Sequence, residues 1–341
     1  MQVMVAMSGG VDSSVAAAMM LDAGHEVVGV TMKLWGGPSD KGCCSVSDVL
    51  DARRAADLIG VDHHVFNFGD DFERHVIAPY VAEHDAGRTP NPCIECNRSI
   101  KFARLLERAD ALGFDVVVTG HHAQIVTMPN GSRRIARAVD IAKDQSYVLH
   151  MISPDDLARV EFPIGGLEKS VVRQMAAEMG MRVANKPDSQ DVCFISSTTS
   201  RNEFLGDRLA HKPASVVDTH GNQVGHVDSV QMVTIGQRKG LGLAGGAPPR
   251  YVTDVDIDAQ RVTIGSREDL LSEHVDLDAV VWAGDQVSQG LVAQTSAHGT
   301  PRPARVHGDR VLWDKPVPRV APGQTVVLYD GDVVVGGGIA R

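Results

Sequence analysis

The chain predicts an α/β fold: an N-terminal, doubly wound, mostly parallel sheet, followed by a small central β-rich domain and a C-terminal β-barrel. Strand and helix patterns alternate over about the first 200 residues, as helices covering both faces of a parallel sheet require. Beyond about residue 205 helical periodicity fades, and short Val/Thr-rich runs broken by Gly, Pro and Asp take over. The 341 residues are also too many for one compact core. Domains are expected at residues 1–205, 206–272 and 273–341, with a seam near residues 268–275.

Residues 1–7 are apolar and read as the first strand. Residues 8–14, Ser-Gly-Gly-Val-Asp-Ser-Ser, form a tight loop, and the alanine-rich residues 15–21 read as the helix after it. A strand, a glycine loop and a helix start make an anion cradle, with backbone N–H groups and the positive helix end facing the ligand. Gly9 and Gly10 allow close approach. Ser8, Ser13 and Ser14 are expected to add hydroxyl donors, and Asp12 to help hold a magnesium ion. The usual triphosphate loop ends in Gly-Lys-Ser/Thr, and no Gly-Lys pair occurs in the chain.

A second strand is expected at residues 27–32, and a helix at 48–59 capped by Ser47 and stopped by Gly60. Residues 64–68 are a further strand. Ser99 is read as the cap of a helix at 100–112, stopped by Gly113. Residues 115–119 form an apolar strand ending at Gly120-His121-His122. Ligands of such sheets bind at the carboxyl ends of the strands, which puts residues 8–14, Met32 and Gly120 on one rim. Asn130-Gly131 between two β-rich runs signals a hairpin. A helix at 167–179 closes at Gly180. Later strands are expected at 214–217, 251–257, 261–264, 279–282, 324–329 and 333–337. Gly240, Gly242 and Gly245 fit a dinucleotide fingerprint, but Pro248 and Pro249 follow where that site needs a helix, so it is rejected.

Apolar residues make up 43% of the chain, which excludes wholesale disorder, and no long uncharged apolar run predicts a membrane span. The N-terminus has no basic segment or cleavable signal, so a cytoplasmic location is expected. The formal charge of −10 argues against a nonspecific nucleic-acid binder. The charge is unevenly spread, with basic clusters at residues 98–108 and 133–137, and a patchy acidic protein still binds a specific RNA.

Five cysteines in a reducing compartment are free thiols unless catalytic or metal-bound. Cys93 and Cys96 form a Cys-x-x-Cys pair, Cys193 lies far along the chain, and Cys43 and Cys44 are adjacent. Cys96, read as lying at a helix start beside Arg98, is a nucleophile candidate. Three readings stand open: a zinc or iron–sulfur site, a redox pair passing sulfur across an active site, and plain burial of Cys193.

The ordered motifs converge on one family. They are the loop at 8–14, Met32-Lys33-Leu34-Trp35, Gly42-Cys43-Cys44-Ser45, Asn91-Pro92-Cys93-Ile94-Glu95-Cys96-Asn97, Thr119-Gly120-His121-His122, Lys143-Asp144-Gln145-Ser146-Tyr147, Asp191-Val192-Cys193-Phe194-Ile195 and the run from Thr234 to Gly242. The chain resembles bacterial tRNA-specific 2-thiouridylases, within the ATP pyrophosphatase (PP-loop) superfamily. The match is strong to Gly242 and continues more weakly to Gln324.

The resemblance implies ATP-dependent replacement of the C2 oxygen of the wobble uridine by sulfur in tRNAs for Lys, Glu and Gln. It implies ATP, with Mg2+, bound by Ala6, Met7, Ser8, Gly9, Gly10, Val11, Asp12 and Ser13, with Met32 and Gly120 near adenine and ribose. Cys96 matches the nucleophile, and Cys193 the cysteine that takes a persulfide from a sulfur-carrier protein; that persulfide either attacks C2 directly, or Cys96 releases sulfide from it by forming a disulfide with Cys193. Asn91, Pro92 and Cys93 match the stretch touching the target base. His121, Lys143, Asp144, Gln145 and Gln324 match tRNA-contact positions. The C-terminal domain is implied to bind tRNA, although residues 295–299 lack the basic and aromatic residues usual there. The alternatives are the same reaction on an iron–sulfur cluster held by three cysteines, another PP-loop adenylating ligase, and a non-catalytic nucleotide- or metal-binding protein.

Overall fold

The computed structural model describes residues 1–34, 45–188, 192, 194–195, 201–243 and 248–341. Cys43, Cys44 and Cys193, and the end of the glycine run at 240–245, lie outside the described residues. The chain divides into two compact units. The first holds Met1–Ile77, Pro92–Thr198 and Asp332–Val334, and the second Ala78–Asn91, Thr199–Gly331 and Val335–Arg341.

The first unit is built on a parallel sheet. Its chain runs through β1 (Gln2–Ala6), α1 (Val11–Asp22), β2 (Glu26–Lys33), α2 (Val46–Ile59), β3 (Asp62–Asn67) and β4 (Val116–Thr119). The strand order is β3-β2-β1-β4, with the short strand Val160–Glu161 outside β4. In register, Ala6 at the end of β1 faces Val30 and Thr119, so the carboxyl ends of the central strands share one edge. Val3, Met4 and Val5 are fully buried, as a strand covered on both faces demands. Core residues of α1 (Val15, Ala16, Ala17) pack with Val172 and Ala176 of the helix Lys169–Glu178.

Three helix starts differ from the sequence reading. Helix α1 begins at Val11, directly on the glycine loop, with Gly10 as its N-cap. Helix α2 is capped by Ser45 instead of Ser47. Ser45 Oγ accepts from Asp48 N–H at 3.2 Å, Ser45 N–H donates to the Asp48 carboxylate at 3.3 Å, and this reciprocal pair outcompetes a lone serine cap. The predicted helix at 100–112 starts at Pro92, since proline has no N–H to lose in a first turn and a φ already helical. It continues through a widened i→i+5 stretch, Cys96–Arg104, and ends at Leu112 with Gly113 in the left-handed region, as expected. Ser99 is no cap; its hydroxyl bonds the Glu95 carboxylate.

The Asn130-Gly131 hairpin forms between Ala123–Thr127 and Arg133–Arg137, and Val333 pairs with Ala136 at its edge. In the second unit a four-stranded sheet runs Tyr251–Asp256, Arg261–Gly265, Ala214–Val217, Gln223–Val227. A six-stranded antiparallel barrel follows. Its strands, in spatial order, are Leu271–Trp282, Arg310–Pro318, Arg302–His307, Leu291–Gln294, Thr325–Asp330 and Val333–Ala340. Pairing of the first with the last, Leu277 against Ala340, closes it. Closure removes exposed sheet edges, and Val311, Trp313, Val326 and Leu328 fill the interior.

Candidate active site

The loop Ser8–Asp12 leaves the end of β1 and turns straight into α1. Gly9 has φ +75°, and a Cβ there would meet the Asp48 carbonyl oxygen at 2.1 Å. Ser13 Oγ accepts from Ser8 N–H at 3.1 Å, and Ser14 Oγ donates to the Gly10 carbonyl at 2.9 Å. Ser14 is fully buried, so its expected role as a phosphate donor is corrected: its hydroxyl shapes the loop. Ser8 is exposed.

The segment after β4 packs on this loop. A Cβ on Gly120 would lie 2.5 Å from Ser13 N. His122 Nε2 meets Asp12 Oδ1 at 3.0 Å, and His122 N–H donates to Gln145 Oε1 at 2.9 Å. His121 is buried, with Nδ1 2.6 Å from Thr119 Oγ1 and its ring against Phe102 and Phe162. Burial first, then Lys101 and His122, push its pKa well below the ordinary value, so it is neutral at physiological pH. Met32 is buried at the carboxyl end of β2.

Charges from distant parts of the chain converge on the loop. Lys169 Nζ donates to both oxygens of Asp12 at 2.7 and 2.6 Å and lies 2.9 Å from Asp188 Oδ1. Asp188 also accepts from Lys143 Nζ at 2.7 Å and from Arg173 at 2.7 Å. Burial raises the Asp188 pKa, but bonds from Lys143 and Lys169 outweigh it and hold the carboxyl at about 2. Asp12 is likewise held below its ordinary value against burial by His122 and Lys169. Lys186 Nζ donates to the Gly9 carbonyl at 2.9 Å and to Asp48 and Asp51 at 2.8 Å each, stapling the loop to α2.

Sequence reading missed Lys169, Arg173 and Lys186. Lys169 and Lys186 lie 157 and 177 residues from their loop partners Asp12 and Gly9, beyond any local signal, and Arg173 joins them through Asp188. At the expected magnesium position, Lys169 Nζ bonds both oxygens of the Asp12 carboxylate. Among the described residues no group of three or more His, Cys, Asp or Glu side chains is arranged to hold a metal ion.

Cys96 is buried and Cys93 half-buried. The picture of Cys96 at a helix start beside Arg98 is corrected. Cys96 lies one turn inside a helix, and Arg98 is committed to Glu95 at 2.8 Å. The next residue, Asn97, is buried, and its Nδ2 donates to the Val148 carbonyl at 3.2 Å. Val148 N–H donates to Gln145 O, and Gln145 N–H to His122 O. A continuous bonded path therefore joins Asp12, His122, Gln145, Val148 and the neighbour of Cys96.

Lys143 and Gln145 flank Asp144. The Asp144 carboxylate is buried and accepts from Arg137, Ser146 and the Ala138 and Ser146 N–H groups. Asn91 and Gln324 belong to the second unit, both half-buried. There Thr89 N–H donates to the Pro322 carbonyl at 2.7 Å, so the stretches leading to Asn91 and to Gln324 lie side by side.

Family models match three consecutive stretches: a tRNA methyl transferase HUP domain at residues 1–197, a tRNA methyl transferase PRC-barrel domain at 202–266, and an aminomethyltransferase beta-barrel domain at 274–340. The chain is 45% identical over 361 aligned positions to the tRNA-specific 2-thiouridylase MnmA of Mycobacteroides abscessus, covering 99% of each chain. It is 46% identical to that of Rhodococcus jostii, covering 99% of this chain and 97% of the other. A 4-thiouridine synthetase–RNA complex with bound ATP aligns at 21% identity over 60% of this chain and 49% of that one, with a TM-score of 0.39. At that distance the likeness says nothing about this chain's chemistry. Two of the domain descriptions name methyl transfer. The relatives that align end to end are thiouridylases, and end-to-end identity is the closer guide.

Proposed function

This chain belongs to the tRNA-specific 2-thiouridylase family and is an ATP-using tRNA-uridine 2-sulfurtransferase, and we propose the following course for its reaction. ATP lies on the loop formed by Ala6, Met7, Ser8, Gly9, Gly10, Val11, Asp12 and Ser13, with Met32 and Gly120 beside adenine and ribose. Magnesium enters on the triphosphate. The substrate is the wobble uridine of tRNAs for Lys, Glu and Gln. That base is unpaired, so moving it into a pocket costs little.

A uridine C2 oxygen is a poor leaving group. It attacks the α phosphorus, the bond to the β phosphate breaks, and pyrophosphate departs with the electron pair. A persulfide on Cys193, loaded by a sulfur-carrier protein, then delivers sulfur to C2. Either its terminal sulfur attacks C2 directly and Cys96 then attacks Cys193 Sγ, breaking the S–S bond and leaving the sulfur on C2, or Cys96 first displaces that sulfur as hydrosulfide, which attacks C2. AMP leaves with the old C2 oxygen. Both routes end in a Cys96–Cys193 disulfide, which an external thiol reductant resets. Asn91, Pro92 and Cys93 border the target base, and His121, Lys143, Asp144, Gln145 and Gln324 form the tRNA contact. Asp144 acts from beneath the surface by holding the Ala138 and Ser146 N–H groups, and His121 by bonding the Thr119 hydroxyl. Residues 1–205 form the catalytic domain, 206–272 the central domain and 273–341 a tRNA-binding barrel. The enzyme works in the cytoplasm, where tRNA is.

The observation that most supports this reading is the bonded path from the phosphate-loop carboxylate of Asp12 to the neighbour of Cys96. It ties an activating site to a thiol within one unit, as activation followed by sulfur transfer requires. The test is mass spectrometry of tRNA nucleosides after incubation with ATP and a persulfide donor. 2-Thiouridine is expected with ATP and absent without it; thiolation without ATP rejects the reading.

A further inference from the structure

Lys169 is only 7% exposed, yet it carries an ammonium group. Taking such a charge out of water is costly, and even a paired buried charge seldom adds net stability. The chain nevertheless commits three carboxylates to this one residue. Asp12 and Asp188 hold its Nζ, and Asp140 accepts its backbone N–H at 3.0 Å. Asp188 is itself steadied by Lys143 and Arg173. The cluster is anchored on the phosphate loop, since Asp12 is the second residue of α1 and sits in its first turn. Costly buried ion clusters of this kind gather at functional sites.

We infer that Lys169 is a catalytic residue of the activation step, and that its ammonium passes from the Asp12 carboxylate to the departing pyrophosphate. This rests on the adenylation reading above and adds a residue to it. As the substrate oxygen bonds the α phosphorus and the bond to the β phosphate breaks, a new negative charge forms on the leaving oxygen. Lys169 donates a hydrogen bond to it and neutralises it; no proton changes hands. Asp188 keeps hold of the ammonium as it leaves Asp12, so the charge already stands beside the loop when the leaving group develops. A charge placed where it meets the leaving group, and not the nucleoside, stabilises the transition state more than bound ATP.

The test separates leaving-group recognition from general integrity. Binding of inorganic pyrophosphate and of AMP is measured by calorimetry for the full-length wild type, Lys169→Met and Lys169→Arg, with tRNA-dependent pyrophosphate release measured in parallel. For Lys169→Met, pyrophosphate affinity is expected to fall about tenfold or more, AMP affinity to stay within about twofold, and release to slow about 100-fold. Lys169→Arg keeps the charge and is expected to recover most of the pyrophosphate affinity, which keeps the proposal testable should the methionine variant not fold. Unchanged pyrophosphate affinity, or equal loss of pyrophosphate and AMP affinity, overturns the proposal. Failure of the wild type to release pyrophosphate rejects the adenylation reading instead, while the binding comparison still judges Lys169.

Discussion

Gly9 and Asp48 touch so closely that a Cβ at position 9 would sit 2.1 Å from the Asp48 carbonyl oxygen and 2.9 Å from its Cα. The clash is with helix backbone, which Lys186 pins from the other side through Asp48 and the Gly9 carbonyl. Gly9 also has φ +75°, a conformation that costs other residues about 1–2 kcal/mol. Gly9→Ala is therefore expected to weaken ATP binding by about 100-fold in a nucleotide titration. Gly24→Ala serves as control: its φ is +81° but no atom lies within 4 Å of the added Cβ, so ATP affinity should hold.

The two cysteines of the Cys-x-x-Cys pair should separate sharply. Cys96→Ser is expected to lower tRNA thiolation by about 1000-fold or more while leaving ATP binding intact, because it removes the nucleophile of the sulfur-transfer step. Cys93→Ser is expected to keep most of the activity, since Cys93 is half-buried in the first helical turn and its proposed part is only to border the base. Nucleoside mass spectrometry and an ATP titration on both variants check this.

The Asp188 cluster predicts an acid response. Its carboxyl lies at about 2 in the folded chain against an ordinary 3.8, so the folded state binds fewer protons there than the unfolded chain. Its contribution is complete above about pH 4 and is lost as pH falls towards 2. Thermal melts of wild type and Asp188→Asn over that range should converge as the solution is acidified. A gap that stays constant between neutral pH and pH 2 contradicts the assignment.

In the barrel, Leu328 is fully buried among Val326, Trp313 and Val311. Leu328→Ala leaves a cavity in a closed interior and is expected to cost about 2–5 kcal/mol of stability. Denaturant unfolding measures this, and a loss under about 1 kcal/mol would mean that the barrel collapses around the gap.

Much of the first unit was legible because its signals are local. The loop at 8–14 announces itself by composition, and Gly60, Gly113 and Gly131 stand where the sequence puts them, each in a left-handed turn. Helix starts were less legible. Ser45 beats Ser47 through a carboxylate three residues on, and Pro92 opens a helix that periodicity alone begins at residue 100. The charge cluster was invisible for a different reason. Nothing near Lys169 in sequence marks it as the partner of Asp12; only the packing of the helix it opens against α1 brings them together. In the second unit the strands at 223–227, 302–307 and 310–318 are hidden by Pro, Gly or charged residues that interrupt their alternation, and the strand at 291–294 by its length of four residues; sheet pairing supplies what local preference lacks.

The chemistry turns on the fate of one oxygen. A tRNA carrying a heavy-oxygen label at C2 of the wobble uridine is incubated with the enzyme, unlabelled ATP and a persulfide donor, and the AMP formed is weighed by mass spectrometry. Activation of that oxygen by ATP predicts heavy AMP in equal amount to the thiolated uridine. Thiolated tRNA accompanied by unlabelled AMP would contradict it.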